Sequence, residues 1–507
     1  AGSANLKQGC RMVHLLKTFF AVSSALWLSG CASWYFRDAG APPAPPPQYS
    51  LEQWPYKEYW TGIVFNGAKI GFSRLSVAPA ADSRYEVQSE AAFVLHFLGL
   101  EKKFRFRSSD IVNSDLTLQR FDYDYHIDGN DLKLTGEVGN GMLRVHSDTA
   151  GSRTDQDIPL TGPVYSASIL PLYPLWHGLD VGRRHAYTVY DGETRILARV
   201  EQDVLGYETS QLFSGPAYKV ETRMHGHKTT TWISADGRPQ FEMALNGVLI
   251  SALETEKQAK RYLALASLNK QDVLLDFSLV RPDRPIPDAR QLDYLKIAIE
   301  GIEQRLAPPT DSGQRCQWAD NVTTCEIRRQ VPPPTITGTY DSKQRSHYLR
   351  PTITAPSIDP RIRATAQEIA GDVKDPLETI RRLVGWMQAN IQKSPVDVFS
   401  ALDVLETKKA ECQGHAYLYT AFARALGIPT RVVNGLAYSE ELKGFLYHSW
   451  NESLIGETWL PVDPTFGQVG VDATHIKLLE GEATAELMPL VDIVGRIRAK
   501  ILSLEAP

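Results

Sequence analysis

A surplus of positive charge is missing from this chain, and with it one large class of function. Lys and Arg number 54 against 59 Asp and Glu, for a net charge of -5. No basic patch interleaved with aromatics stands out, so a nucleic-acid partner is excluded. No glycine loop of the phosphate-cradling kind, no calcium loop of the EF-hand kind and no internal repeat occurs. Beyond one apolar stretch near the start, no run is long and charge-free enough to span a membrane. Cysteine is scarce, five residues in 507, so each can be asked for its own role.

The length leaves room for two or three domains of ordinary globular composition. Across residues 51–280 apolar and polar positions alternate between turn signals. Tyr59-Trp60-Thr61-Gly62-Ile63-Val64-Phe65 runs into Asn66-Gly67, a dipeptide suited to a tight hairpin because both positions tolerate positive φ. Residues 102–107, 116–125 and 228–233 repeat the alternation. This predicts a large antiparallel β domain, a curved sheet with one face covered. It holds no chemical motif. His225 and His227 are read as alternating along one strand on a solvated face, with no third ligand for a metal, and Asp122 and Asp124 as surface charge.

Residues 281–345 read as a small β module: a proline-rich connector over 281–287, a strand near 294–300, and a hairpin carrying Cys316 and Cys325. If Asp320-Asn321 is a two-residue turn, the two cysteines face each other as a non-hydrogen-bonded pair. Cα atoms there lie about 4.5 Å apart, at the short end of what a disulfide accepts. No histidine or further cysteine is near enough to favour a metal, and a disulfide fits an oxidising periplasm or cell surface. Residues 486–507, alternating from Val494 to Ile501, are expected to add a last strand.

The start of the chain reads as an address. Residues 12–30 have the form of a secretory signal: Lys17, then an apolar run over 18–28 too short for a span. It closes on Leu28-Ser29-Gly30-Cys31, which resembles a bacterial lipoprotein box and makes Cys31 the expected lipidation site. With Ala32 and not Asp after that cysteine, the resemblance to bacterial lipoproteins implies the outer membrane, facing the periplasm. Two or more acyl chains would anchor the protein stably, at about 0.8 kcal/mol per buried methylene. Within 31–50, Ala41-Pro42-Pro43-Ala44-Pro45-Pro46-Pro47 predicts a stiff, extended spacer. Residues 1–11, with Cys10, precede the signal and play no part in this reading.

Cys412 remains, unpaired. It stands in Ala410-Glu411-Cys412-Gln413-Gly414-His415, ahead of an apolar, helix-forming run that stops at Gly427 with Pro429 beyond. A cysteine at a helix start meets unpaired N–H groups and the positive end of the dipole, which favour a thiolate and a developing oxyanion. A thiol nucleophile also needs a base, and the base needs an orienting group. His448, in Tyr447-His448-Ser449-Trp450-Asn451-Glu452, and Asp463, in Val462-Asp463-Pro464-Thr465, lie in two later strand-like runs joined by a turn at Gly456. His415 is the rival base, but on the thiol's own helix it is read as structural. Trp450 and Trp459 are read as core or pocket walls. The Cys412 backbone N–H is the expected oxyanion donor, with the Gln413 side chain the alternative.

These motifs resemble the transglutaminase-like superfamily of papain-type thiol enzymes. The resemblance rests on the cysteine at a helix start, Arg424-Ala425-Leu426-Gly427-Ile428-Pro429-Thr430-Arg431-Val432-Val433, His448-Ser449-Trp450-Asn451-Glu452 and Asp463-Pro464-Thr465. Lead-in helices resembling the family's are carried by Asp359-Pro360-Arg361-Ile362, Leu383-Val384-Gly385-Trp386-Met387 and Ala401-Leu402-Asp403-Val404-Leu405. One departure stands before the nucleophile, Ala410-Glu411 where bacterial relatives often have Gly-Asp. The resemblance implies an α+β chain in which residues 346–485 form a transglutaminase-like, papain-like core, a cysteine-bearing helix packed on an antiparallel sheet, behind the large β domain. It implies Cys412 as nucleophile, His448 as base and Asp463 as orienting carboxylate, with no cofactor. The expected function is a lipid-anchored thiol enzyme acting on amide bonds of a peptide or protein, peptide or glutamine-type, through a thioester resolved by water or an amine. The alternative is a catalytically silent envelope scaffold that binds peptides or cell-wall fragments.

Overall fold

A computed structural model describes residues 35–97, 100–266, 273–311, 313–333 and 342–506. The signal segment, Cys10 and the lipidation candidate Cys31 lie outside the described residues. Among the described residues no helix is long and apolar enough to cross a membrane.

The α+β architecture expected from the pattern is present. Sixteen strands form one large sheet, antiparallel except for the short pairing of Tyr165-Ser166 with Val189-Tyr190. Glu58–Phe65 and Ala68–Pro79 meet at Asn66-Gly67, both with positive φ. The sheet folds over itself. Leu75, Val87 and Val112 pack against Tyr187, Val189 and Val200 from the later strands, and the Phe121 ring stacks on Tyr190 with centroids 4.9 Å apart.

Two expectations fail here. His225 does not sit along a strand: Met224 pairs with His227, so His225-Gly226 is the hairpin turn, both with positive φ. Nor is His225 solvated; its ring bonds Asp191 at 2.9 Å and is 12% exposed. The glycine made the turn, and the two flanking histidines imitated strand alternation. The proline run is not a free spacer either. Phe36–Asp38 pairs with Ile196–Ser210, and the Phe36 ring stacks on Trp232 at 4.2 Å. At the other end Pro47 O accepts the Leu179 N–H, so strand pairing with a ring stack on one side and a hydrogen bond on the other tie the segment along the sheet.

A second sheet orders Gln314–Ala319, Val322–Arg328, Tyr294–Glu300 and Arg498–Glu505. The expected small module and the expected last strand are therefore one sheet, closed by chain 170 residues or more further on. Asp320 and Asn321 take positive φ, and Cys316 faces Cys325 with a Cα separation of 4.1 Å and the sulfurs bonded.

Between these strands in sequence lies the unit that carries Cys412. Its five-stranded sheet runs Gln468-Val469, Thr458–Asp463, Gly444–Ile455, Thr430–Ser439, Ile476–Glu480. Helices Pro360–Ala370, Pro376–Asn390, Ala401–Thr407 and Cys412–Ala425 cover one face. Local chemistry starts them: Asp359 accepts from the Arg361 N–H ahead of a first-turn proline, and Ser400 with Asp403 forms a capping box. Tyr419 and Phe422 of the cysteine helix are fully buried, at about 1.5–3 kcal/mol each. The other face packs on the small sheet through Leu436, Tyr438, Phe445, Leu295, Ile297 and Ile501. The large sheet also reaches this unit: Asn130 Nδ2 donates to Asp397 O at 2.6 Å, and Lys102 pairs with the Asp397 carboxylate at 2.6 Å.

Candidate active site

Cys412 is the first residue of its helix. Glu411 is the cap, accepting the Gln413 N–H on Oε1 at 3.0 Å. The departure before Cys412 puts no strain on the backbone, since Ala410 belongs to the short strand Lys409-Ala410 and has no left-handed φ. The helix stops at Gly427, whose φ is 81°. Asn451 Nδ2 donates to Ala416 O at 3.1 Å and to Thr420 Oγ1 at 2.8 Å, pinning the histidine strand to the cysteine helix. The Ser449 backbone N–H consequently lies against Cys412 Sγ, beside His448.

His448 Nε2 stands 2.8 Å from Asp463 Oδ2. A carboxylate accepts, so Nε2 carries the hydrogen and Nδ1 is left to exchange a proton. Phe466 stacks on the His448 ring at 4.7 Å, and the Arg290 guanidinium lies 3.9 Å over Phe466. Asp463 Oδ1 accepts the Thr465 and Phe466 N–H groups at 2.7 and 2.9 Å. Burial alone would raise the Asp463 carboxyl, but His448 and His475 hold it well below the usual carboxylate range.

The electrostatics at sulfur run against the thiolate expected of a helix start. Sγ–H donates to Glu411 Oε2 at 3.3 Å. Burial, then the Glu411 carboxyl, push the Cys412 thiol well above its ordinary range. Glu411 is itself pushed up to about 7, by burial and by Asp397, against the pull of Lys102. One helix end does not outweigh a half-buried acid in contact with the sulfur.

His415 is fully buried with Nδ1 on Glu411 O at 2.9 Å, turned toward its own cap. Trp450 is buried edge-on to His475, centroids 5.2 Å apart. Trp459 lies elsewhere, 4.9 Å from the Tyr348 ring and under Arg431 at 4.0 Å. The sequence reading missed Glu411 as the thiol's acceptor and missed His475 altogether. His475 comes within reach because Gly435, opposite His448 in the ladder, lets the neighbouring chain in; a Cβ there would stand 2.0 Å from Ile476 O. A positive clue existed in Asp472-Ala473-Thr474-His475, where an acid three residues before a histidine can bond it. Donor atoms of His448, Asp463 and His475 lie within 4.8 Å of one another, but they hydrogen-bond to each other, so the cluster is satisfied without a metal.

Residues 363–464 match the model of the transglutaminase-like superfamily. The chain carries a transglutaminase-like domain. Residues 62–241 match a domain of unknown function, DUF6134. Kyphoscoliosis peptidase of Mus musculus is 29% identical over 114 residues, 20% of this chain and 17% of that protein, so the match spans about a sixth of the relative's length. A candidate cysteine protease from Cytophaga hutchinsonii has 15% identity and a TM-score of 0.30, over 43% of this chain and 86% of its own. A β-barrel-like protein of Brucella abortus, DUF1849, has 9% identity and a TM-score of 0.31, over 39% of this chain and 95% of its own. In the transglutaminase-like domain the matched stretch includes Cys412, His448 and Asp463.

Proposed function

We propose that this protein is a thiol acyl-transfer enzyme acting on amide bonds of peptides or proteins, peptide or glutamine-type. The observation that carries the reading is the commitment of His448 Nε2 to Asp463, which leaves Nδ1 as proton acceptor in the residue next to Ser449, whose N–H meets Sγ. Cys412 Sγ attacks the carbonyl carbon as His448 takes the thiol proton, and the oxyanion develops at the Cys412 N–H. The C–N bond then breaks, His448 protonates the leaving amine, and a thioester remains. Water resolves it to an acid, or a primary amine to a new amide. The motif needs no cofactor. Lipidation at Cys31 would hold the enzyme at the outer membrane, facing the periplasm, a placement supported by the box sequence and by the bonded Cys316–Cys325 pair.

Intact-mass measurement tests this after incubation with envelope peptides and cadaverine. A peptide thioester or amine-coupled product that disappears in Cys412→Ala supports the reading. The alternative is the silent peptide-binding scaffold, favoured by the half-buried, proton-bearing thiol. Iodoacetamide labelling of Cys412 no faster than an unfolded thiol, and indifferent to His448→Ala, would establish the scaffold instead.

A further inference from the structure

His475 is not one of the three residues the proposed chemistry needs, yet it is enclosed on every side. Its side chain is fully buried, with Nε2 3.0 Å from Asp463 Oδ2 and Nδ1 3.3 Å from Asp472 Oδ1. Both partners are carboxylates and only accept, so both ring nitrogens must carry hydrogen, and the ring is a cation. Asp472 is fixed in turn by Arg290 at 2.8 Å and by the Thr474 N–H at 2.9 Å. Charge therefore alternates along one chain, from Arg290 of the small module through Asp472 and His475 to Asp463, which meets His448. The remaining groups against His475 are the rings of Trp450 and Phe466, with Arg290 and Lys393 over Phe466.

His475 and His448 share one oxygen, Asp463 Oδ2. We propose that His475 is a charged positioning residue that neutralises Asp463 and so keeps the Cys412–His448 pair uncharged until substrate arrives. A carboxylate facing His448 alone would stabilise its imidazolium, and with it the thiolate of an ion pair. A second cation on the same oxygen cancels much of that field, while Glu411 accepts the thiol hydrogen from the other side. The nucleophile is then made during attack, by His448 as general base, and is not stored as a reactive thiolate. Burial alone would discharge His475, but Asp472 and then Asp463 hold it up to about 9.

This rests on the thiol-enzyme reading above, and iodoacetamide labelling separates the two. In labelling, Sγ displaces iodide from the reagent carbon and the thiol proton passes to His448 or solvent. The rate at Cys412 is followed by intact mass from pH 5 to 10 in the whole protein, in His448→Ala and in His475→Gln. The glutamine amide can still donate to Asp463 but carries no charge. Its labelling midpoint is expected to fall, making the rate about tenfold faster at pH 7, the scale of one charge felt across a few ångströms of protein. Lost packing alone would bring the midpoint down only as far as that of an unfolded thiol, so a fall that ends there and no longer depends on His448 also overturns the proposal. A midpoint unchanged or higher, in a protein whose labelling does depend on His448, overturns the proposal. Labelling indifferent to His448 sinks the enzyme reading itself. Should His475→Gln fail to fold, histidine-selective nitrogen NMR of the unsubstituted protein decides. A slowly exchanging imidazole doubly protonated at pH 8 is expected; its absence among the twelve histidines overturns the proposal.

Discussion

The large sheet and the cysteine-bearing unit both bury carboxyl groups, and Asp110 of the first fares differently from Asp463 and Asp472 of the second. In the sheet, Asp110 accepts from Tyr123 OH at 2.8 Å and from Ser168 Oγ, and burial pushes it up to about 6. Glu242 accepts from Thr231 Oγ1 at 3.0 Å and is also raised by burial. In the cysteine unit, Asp463 and Asp472 are just as enclosed, yet both sit well below the usual carboxylate range because His448, His475 and Arg290 face them. Hydroxyl donors satisfy the lone pairs of a buried acid; holding its charge takes a cation. Asp110 and Glu242 serve the sheet as polar staples, whereas Asp463 and Asp472 are kept ionised and Glu411 of the same unit is not.

Substitutions can break that contrast, the largest effect first. Cys412→Ala is expected to abolish the thioester and lower turnover at least about 10⁴-fold, read by mass and product formation. Asp463→Ala strands the His475 cation and should cost about 3–5 kcal/mol in urea unfolding. The pH dependence follows from His475, whose folded value near 9 lies above its ordinary 6.5. Its contribution, about 3 kcal/mol, is fully present below pH 6.5 and is lost as pH rises through 9. Asp110 is also raised, so its contribution is present below about pH 4 and is lost as pH rises through 6. Hydrogen exchange should therefore show the sheet loosening between pH 4 and 6, and the cysteine unit above pH 7. Removing the Cys316–Cys325 bond by a double serine substitution should cost about 2–3 kcal/mol, given its nine-residue separation. Asp110→Asn, which keeps shape and exchanges one acceptor for a donor, should cost about 1 kcal/mol, far less than the same change at Asp463.

Much of the site was legible because its signals are local. Cys412 precedes a helix with a glycine stop, His448 and Asp463 flank a turn at Gly456, and Asp320-Asn321 sets the register that joins Cys316 to Cys325. His225 was misread because a two-residue turn of His225-Gly226 followed by His227 has the spacing of strand alternation. Glu411 was visible as a charge beside Cys412, but whether it aids or restrains the thiol depends on which way its carboxylate turns. His475 carried no motif beyond an acid three residues earlier, and its meaning comes from Gly435 admitting its chain beside the histidine strand.

By itself, the order of residues determined strands, turns, caps and the succession of thiol, imidazole and carboxylate, since each depends on neighbours a few positions apart. Tertiary structure alone decided which buried acids keep their charge, where the last strand docks, and how reactive the thiol is at rest. Those depend on distance and enclosure, and Coulomb energy follows separation in space and not along the chain.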